Sequence, residues 1–356
     1  MKRNRKPKRL GANLVLVALL MVPLLAMVAF TVDYGYLLKV RTDLQRAADA
    51  AALAAVQDLI PASDGTQDLA AARATVRAYA ATNVDASFQV LDSDIEIGRY
   101  DPATIYSNPT LLSTGIYDTV RVTLRRDSQA NSPVSLFFAS VLGIHDSDIA
   151  VTATAVLQKA TTLGPGNDIL PFSVPQAMWD TQGETDQWTI YGDGRLEDGD
   201  GNEVPGNWGT VDIGGTDNST DDLVDQINTG LRQEDLDDLA YDGRIPSSTH
   251  INCDQPVSLN GDPGLSVGIK SAVRNAHGKK RIVPIYDTLD TSDGLEFHVV
   301  RWGVVTVIDS AWVGEKNTYV KVEKDHVYSG ELRPQTNLGN TVNVIEGAFT
   351  SPVLVE

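Results

Sequence analysis

LQRAADAAALAAVQDL, residues 44–59, sets seven alanines into the nine positions from Ala47 to Ala55. Alanine has the highest intrinsic helix propensity and loses no side-chain entropy on ordering, so the stretch reads as helix. Leu37, Val40, Leu44, Ala47, Ala48, Ala51 and Ala55 recur at spacings of three and four, which makes one narrow apolar face. Its small side chains let another helix approach closely. Two uses follow from this pattern. The helix is either a stiff stalk or a packing surface for partner helices, carried by Leu44, Ala47, Ala48, Ala51 and Ala55. Asp43, Arg46 and Asp49 stand at i, i+3, i+6 off that face, where each can pair with the next, and Pro61 is placed to end the helix.

Upstream, Leu10 to Val32 is a run of 23 residues without a charge. At roughly 1.5 Å per residue it reaches about 34 Å, enough to cross a bilayer. The first nine residues hold Lys2, Arg3, Arg5, Lys6, Lys8 and Arg9, whereas the whole chain is −18, so the rest carries −24. Arg9 and Asp33 flank the run, and a basic flank stays on the cytoplasmic side. The alternative is a cleaved signal peptide, which has an apolar core of about 7 to 15 residues and a small-x-small cleavage site. Met27-Val28-Ala29 and Ala26-Met27-Val28 both lack the small pair. The expectation is therefore an uncleaved signal anchor in the inner membrane, with a cytoplasmic N-terminus and the bulk of the chain periplasmic or extracellular. Pro23, in mid-span, removes one backbone donor and is expected to bend the helix.

The strong acidic excess opposes nucleic-acid binding, which needs Lys and Arg to replace counterions on phosphate. Cys253 is the only cysteine. It excludes an intramolecular disulfide framework and any Cys-based zinc knuckle, and is expected to be a free buried thiol.

A basic N-terminus, one span and then VDYGYLLKVRTDLQRAADAAALAAVQDL (32–59) resembles the opening of the TadG-like proteins of the tight adherence (Flp) pilus-assembly machinery. The resemblance is strongest over residues 9–59, where Asp33 is followed by Leu44-Gln45 and Ala48-Asp49-Ala50-Ala51-Ala52-Leu53. A second piece, VRVTLRRDSQANSPVSLFFASVLGIHDSDIAVTATAVL (120–157), is similar to the same family. The resemblance implies a membrane-anchored, non-enzymatic assembly component. Its implied partners are the inner membrane and other pilus-assembly subunits, met through the transmembrane and Ala-rich helix. The chain departs from two patterns of such proteins. Asp287-Thr288-Leu289 and Asp309-Ser310-Ala311 do not supply the Asp-x-Ser-x-Ser of a von Willebrand A-type metal site. Leu16 stands where prepilin peptidase substrates carry a glutamate after their glycine, here Gly11.

The fold class expected is α+β. A basic tail (1–9), a transmembrane helix (10–32) and a juxtamembrane Ala-rich helix (33–60) lead into a small α+β domain (61–160) and a mainly-β acidic domain (161–356). In the first domain, 68–84 has helical spacing, 88–101 and 117–127 alternate like strands, 134–143 reads as a short apolar helix stopped by Gly143, and 147–158 returns to strand alternation. TTLGPGND (161–168) reads as a linker. Beyond it, strands are expected at 188–193, 209–215, 281–287, 297–312 and 318–333, and a helix at 220–231 with Thr220 as N-cap. From Asp180 to Asp242 there are 18 Asp or Glu against only Arg195 and Arg232, which reads as a solvated acidic face.

Candidate chemistry is sparse. Asp198, Asp200 and Asn202 alternate as calcium ligands do, yet the EF-hand pattern would need glycine at Glu203 and glutamate at Gly209. A Gly-rich turn explains the same residues without metal. His145, His250, His277, His298 and His326 form no HExxH or His-x-His group, and there is no nucleophile elbow, phosphate loop or dinucleotide fingerprint. Neither catalysis nor a cofactor is expected. The basic cluster 270–281 is an exposed loop or a contact for an acidic partner. An alternative to the assembly role is a surface-exposed binding protein or adhesin, anchored by one N-terminal span and recognising an external ligand through its β-rich region.

Overall fold

The computed structural model describes residues 10–62, 64–101, 111–113, 116–183, 186–198, 201, 209–214, 219–292, 295–314, 317–329, 332–334 and 344–355. The chain folds as mixed α+β: one long apolar helix, a few shorter helices and strand-rich sheets. It divides into two compact units. One comprises Met1–Ala54, Arg73–Glu96 and Arg121–Thr154, and the other Ala55–Ala72, Ile97–Val120 and Ala155–Glu356.

Helix α1, Leu10–Ala55, is a single run of 46 residues that passes through Pro23 and continues into the Ala-rich stretch. The expected transmembrane and juxtamembrane helices are thus one element. The α-helix ends at Ala55, a 3₁₀ turn covers Val56–Leu59, and Ile60 is already extended just before Pro61. Along the polar side the pairs are Lys39 to Asp43 (2.7 Å) and Gln45 to Asp49 (2.8 Å). These i,i+4 partners replace the i,i+3 pairs expected from Asp43, Arg46 and Asp49.

Helix α2, Leu69–Asn83, buries Ala72, Val76 and Ala80, a stripe one turn apart. Three longer strands follow as expected: β1 (Ile95–Tyr100), β3 (Thr119–Arg126) and β6 (Ile149–Leu163), with a short β2 (Leu111–Leu112) paired to Arg99 and Tyr100. Their order is β2-β1-β3-β6, and the sheet continues from β6 to Ala348–Val355 and Val327–Tyr328. Residues 88–94, expected in the first strand, precede it, with Asp92–Asp94 in a 3₁₀ turn.

The apolar stretch 134–143 is not the helix that its composition suggests. Val134–Ser135 (β4) pairs antiparallel with Asp146–Ser147 (β5), and the tip between them holds only a 3₁₀ turn, Ala139–Leu142. Gly143 ends that turn as expected, at φ 84°, a conformation glycine adopts freely. The amides of residues 137–139 are taken by a side chain from α1 (below) and so make no helical hydrogen bonds of their own.

The linker expected at 161–168 is a correction as well. β6 runs on to Leu163, which is fully buried, and the following turn is tied down. Gly166 donates to the Leu231 carbonyl at 2.8 Å, Leu231 to the Asn167 carbonyl at 2.9 Å, and Asn167 Oδ1 accepts from Gly164 at 2.7 Å.

In the second unit a nine-stranded sheet is built on Glu296–Ala311, which pairs antiparallel with Lys280–Asp290, Tyr319–Lys324 and Val257–Pro263. Both faces are buried. Phe297, Val299, Trp302 and Val304 enter one core with Leu259, and Val305 and Val307 enter another with Trp188, Val320 and Val322. The parity change between Val299 and Trp302 follows from a register shift, Ile285 facing Arg301 while Tyr286 faces Val299. Helix Thr220–Thr229 sends Leu223 and Ile227 into the second core; its N-cap is Ser219, whose hydroxyl accepts from the Asp222 amide, rather than Thr220. A further helix, Gln233–Tyr241, which the sequence reading omits, sends Leu236 and Leu239 into the first core.

The acidic stretch is partly internal rather than a solvated face. Arg232 pairs with Asp222, Asp225, Glu234 and Asp235, and Asp212, Gln226 and Asp235 are buried. The basic cluster is likewise spent in part: Lys280 pairs with Asp325 at 3.0 Å and buried Arg281 with Asp168 at 3.2 Å.

Candidate functional site

The feature that sets this chain apart physically is α1, because its environment changes at one residue. From Leu16 to Val32 every side chain is exposed except that of Ala29, which is half-buried. Leu19, Val22, Met27 and Phe30 are each exposed by two-thirds or more. One helix is therefore long and apolar enough to cross a membrane, and most of its apolar window is uncovered by the rest of the chain. An apolar surface of that extent is not stable facing water.

At Asp33 the pattern reverses. Asp33 is 3% exposed, and its two carboxylate oxygens accept from the amides of Phe137 (2.9 Å), Phe138 (2.9 Å) and Ala139 (2.6 Å). Tyr36 meets the Phe137 ring edge-on, with centroids 5.3 Å apart. Three amide donors on one carboxylate satisfy a charge that would otherwise be costly to desolvate. Sequence reasoning takes Asp33 only as the polar flank of the span. Its sequence partners lie about a hundred residues away, and no local signal reveals them.

Beyond Asp33, a stripe of α1 is buried at helical spacing. Leu44, Ala47, Ala48, Ala51, Ala52 and Ala55 are each at most 1% exposed within the single chain. This corrects the assignment of Leu44, Ala47, Ala48, Ala51 and Ala55 to a partner helix: the chain's own fold covers them. Gln45 donates to the Thr152 carbonyl of β6 at 3.1 Å, and Val40, Leu44 and Ala47 share a surface concavity with Asn83, Val84 and Arg126. Small side chains are indeed used for close approach, but inside the molecule.

The other sequence candidates do not converge. The carbonyl of Asp198 accepts from the Gly201 amide at 3.0 Å. Asp200 and Asn202 lie outside the described residues. Among the described residues there is no group of three or more His, Cys, Asp or Glu placed to hold a metal ion. Cys253 is buried and free, and burial pushes its thiol pKa well up, which keeps it protonated and unreactive.

Two arrangements were open to chemistry and are committed elsewhere. His277 Nε2 lies 2.7 Å from Ser310 Oγ, but the adjacent carboxylate of Asp309 bonds the Ser310 amide and the Tyr319 hydroxyl instead of orienting the imidazole. A concavity in the second unit is lined by Trp179, Lys324, Asp325 and Glu346. Lys324 donates to the carbonyls of Trp179 and Gln182, Trp179 to Glu346, and Asp325 accepts from Lys280 and the His326 amide. These polar groups hold strands together.

Comparison with known proteins finds matches in the N-terminal part of the chain. Residues 11–58 match the family model described as putative Flp pilus-assembly TadE/G-like, and residues 45–155 match that described as putative Tad-like Flp pilus-assembly. The two matches overlap across the buried alanine stripe, and the second ends within β6. No curated protein and no solved structure matches the chain. The family matches suggest a pilus-assembly component, a class of generally non-enzymatic proteins.

Proposed function

We propose that this chain is a membrane-anchored, pseudopilin-like component that assembles or anchors a Tad/Flp-type pilus or secretion machinery. Its N-terminus is cytoplasmic, Leu10–Val32 crosses the inner membrane once, and the rest of the chain is exported. The observation that carries this reading is the single continuous helix. It is bare from Leu16 to Val32 and built into the chain's own fold from Asp33 onward, within the region that resembles pilus-assembly proteins. Because the alanine stripe is already covered, contact with other single-span subunits falls to the bare stretch, where lipid-facing side chains of two helices can interdigitate.

The test has two parts. An alkaline phosphatase fusion after Glu356 is active when the C-terminal bulk is exported, whereas an inactive fusion with an active cytoplasmic reporter reverses the orientation. Gently solubilised full-length protein co-purifies with other single-span pilus subunits. Recovery of the chain alone, together with binding of its exported part to an external surface, would favour the adhesin reading instead.

A further inference from the structure

The tip of the β4–β5 hairpin is as bare as the apolar end of α1. Phe137 (62%), Phe138 (48%), Val141 (85%), Leu142 (80%) and Ile144 (55%) are exposed together on a tip whose residues 134–144 include no charge. Five large apolar side chains on one short loop form a patch rather than the scattered exposure normal for a surface. The loop is also held in shape. Leu136 donates to the His145 carbonyl at 2.9 Å, β4 and β5 pair below it, and Gly143 closes the 3₁₀ turn. Ordering an apolar tip this firmly, with its side chains turned outward, does nothing for the core.

Its position supplies the reason. Asp33, the first charged residue after the apolar run, grips the amides of residues 137–139, and Tyr36 packs on Phe137. The tip therefore sits at the height where α1 leaves its apolar stretch. Exposed Phe30, Val32 and Tyr34 on α1 flank the same level. The apolar surface of the helix and that of the loop are thus continuous in height, with a fully satisfied carboxylate between them.

We infer that the loop 136–144 dips into the leaflet on the exported side. It seats Phe137, Phe138, Val141, Leu142 and Ile144 at the boundary between headgroups and acyl chains and gives the first unit a second point of contact with the membrane. The occupant of the patch is lipid, since the same bilayer that solvates Leu16–Val32 reaches this level. A bundle that meets the membrane at α1 alone is free to tilt and spin about that helix; a wedge at its side removes that freedom. The inference rests on the reading of α1 as a membrane span.

The test uses the full chain in phosphatidylglycerol and phosphatidylcholine nanodiscs. A nitroxide is attached to Val141→Cys, Leu142→Cys, Leu24→Cys or Arg274→Cys, each made singly; the native Cys253 is buried and does not compete. Accessibility to oxygen and to a water-soluble nickel chelate is then compared. Labels at 141 and 142 should resemble that at 24, with oxygen favoured several-fold over nickel, while that at 274 favours nickel. If 24 lies in lipid but 141 and 142 favour nickel, the wedge is wrong and the span stands. If 141 and 142 exclude both reagents, or show spin coupling between copies, a protein covers the loop and the inference is overturned. A water-exposed label at 24 would sink the span reading and the wedge with it.

Discussion

Asp33 has two tasks that a sequence shows as one. It ends the uncharged run, and it holds a loop that lies about a hundred residues further along the chain. Asp33→Ala should therefore raise hydrogen exchange across 134–144 while leaving α2 protected. Asp33→Asn, with one oxygen left to accept, should fall between; unchanged exchange in both variants would show that the loop orders itself. Asp325 makes a pH-dependent case. Burial alone would raise its pKa, but bonds from Thr306, the His326 amide and Lys280 outweigh that and hold it below its ordinary value of 3.8. A carboxylate depressed on folding contributes stability above the unfolded pKa and loses it as pH falls through the folded one. Asp325→Asn should thus cost about 1–3 kcal/mol at neutral pH, by leaving Lys280 without its carboxylate, and the difference should shrink below about pH 4. Urea unfolding at pH 7 and pH 3.5 measures it; an equal cost at both would remove Asp325 from the acid response.

At the scale of the element, α1 is legible in the sequence as a helix long and apolar enough to cross a membrane, because composition and period fix both properties. What covers its alanine face was not legible. Periodicity says which side of a helix is buried and is silent on whether the covering atoms belong to the same chain. Ala51→Leu now has a different expected outcome from that of a docking surface. Leucine keeps helix propensity but adds volume where Ala51 has no exposed area. Overpacking should lower the stability of the fold by about 1–3 kcal/mol. Leu38, exposed earlier on the same helix, should tolerate Leu38→Ala with little change. Thermal unfolding in detergent checks both, and a wild-type transition for Ala51→Leu would return that face to intermolecular packing. The hairpin at 134–147 was misread for a related reason. Its residues favour a buried helix on composition, yet the structure spends their amides on Asp33 and leaves their side chains outside, a result set by long-range contacts alone.

For the whole molecule, the change of environment at Asp33 sets where the chain can be shortened. Removing residues 1–32 takes away the bare apolar surface and leaves the buried stripe, so the truncated protein should be soluble without detergent and keep a cooperative thermal transition. Removing residues 1–55 deletes Leu44 to Ala55 from the interior and should abolish the part of that transition that belongs to the first unit. If both truncations behave alike, α1 is a stalk after all. The turn at 164–168 leads to a second expectation. Its bonds to Leu231 make it a poor protease site, so limited digestion should not cut there as it would in a flexible linker. Composition, rich in glycine and proline, pointed to a seam; beside the local bond from Gly164 to Asn167, the hydrogen bonds that tie it down run to Leu231, more than sixty positions away, and leave no trace in the stretch itself.

Because α1 is one uninterrupted helix from its bare apolar stretch to the interior, the two ends are locked in phase. Each residue turns a helix by about 100° and advances it by about 1.5 Å. A single residue inserted between Leu24 and Val32 would leave Asp33 and the alanine stripe seated. It would swing the preceding apolar side chains more than a quarter turn around the axis, presenting different ones to whatever lies beside them. Seven inserted residues would bring the azimuth back to within about 20° and leave only a change of height. The molecule carries its own compass needle: the folded part dictates which flank of the bare apolar segment faces which neighbour.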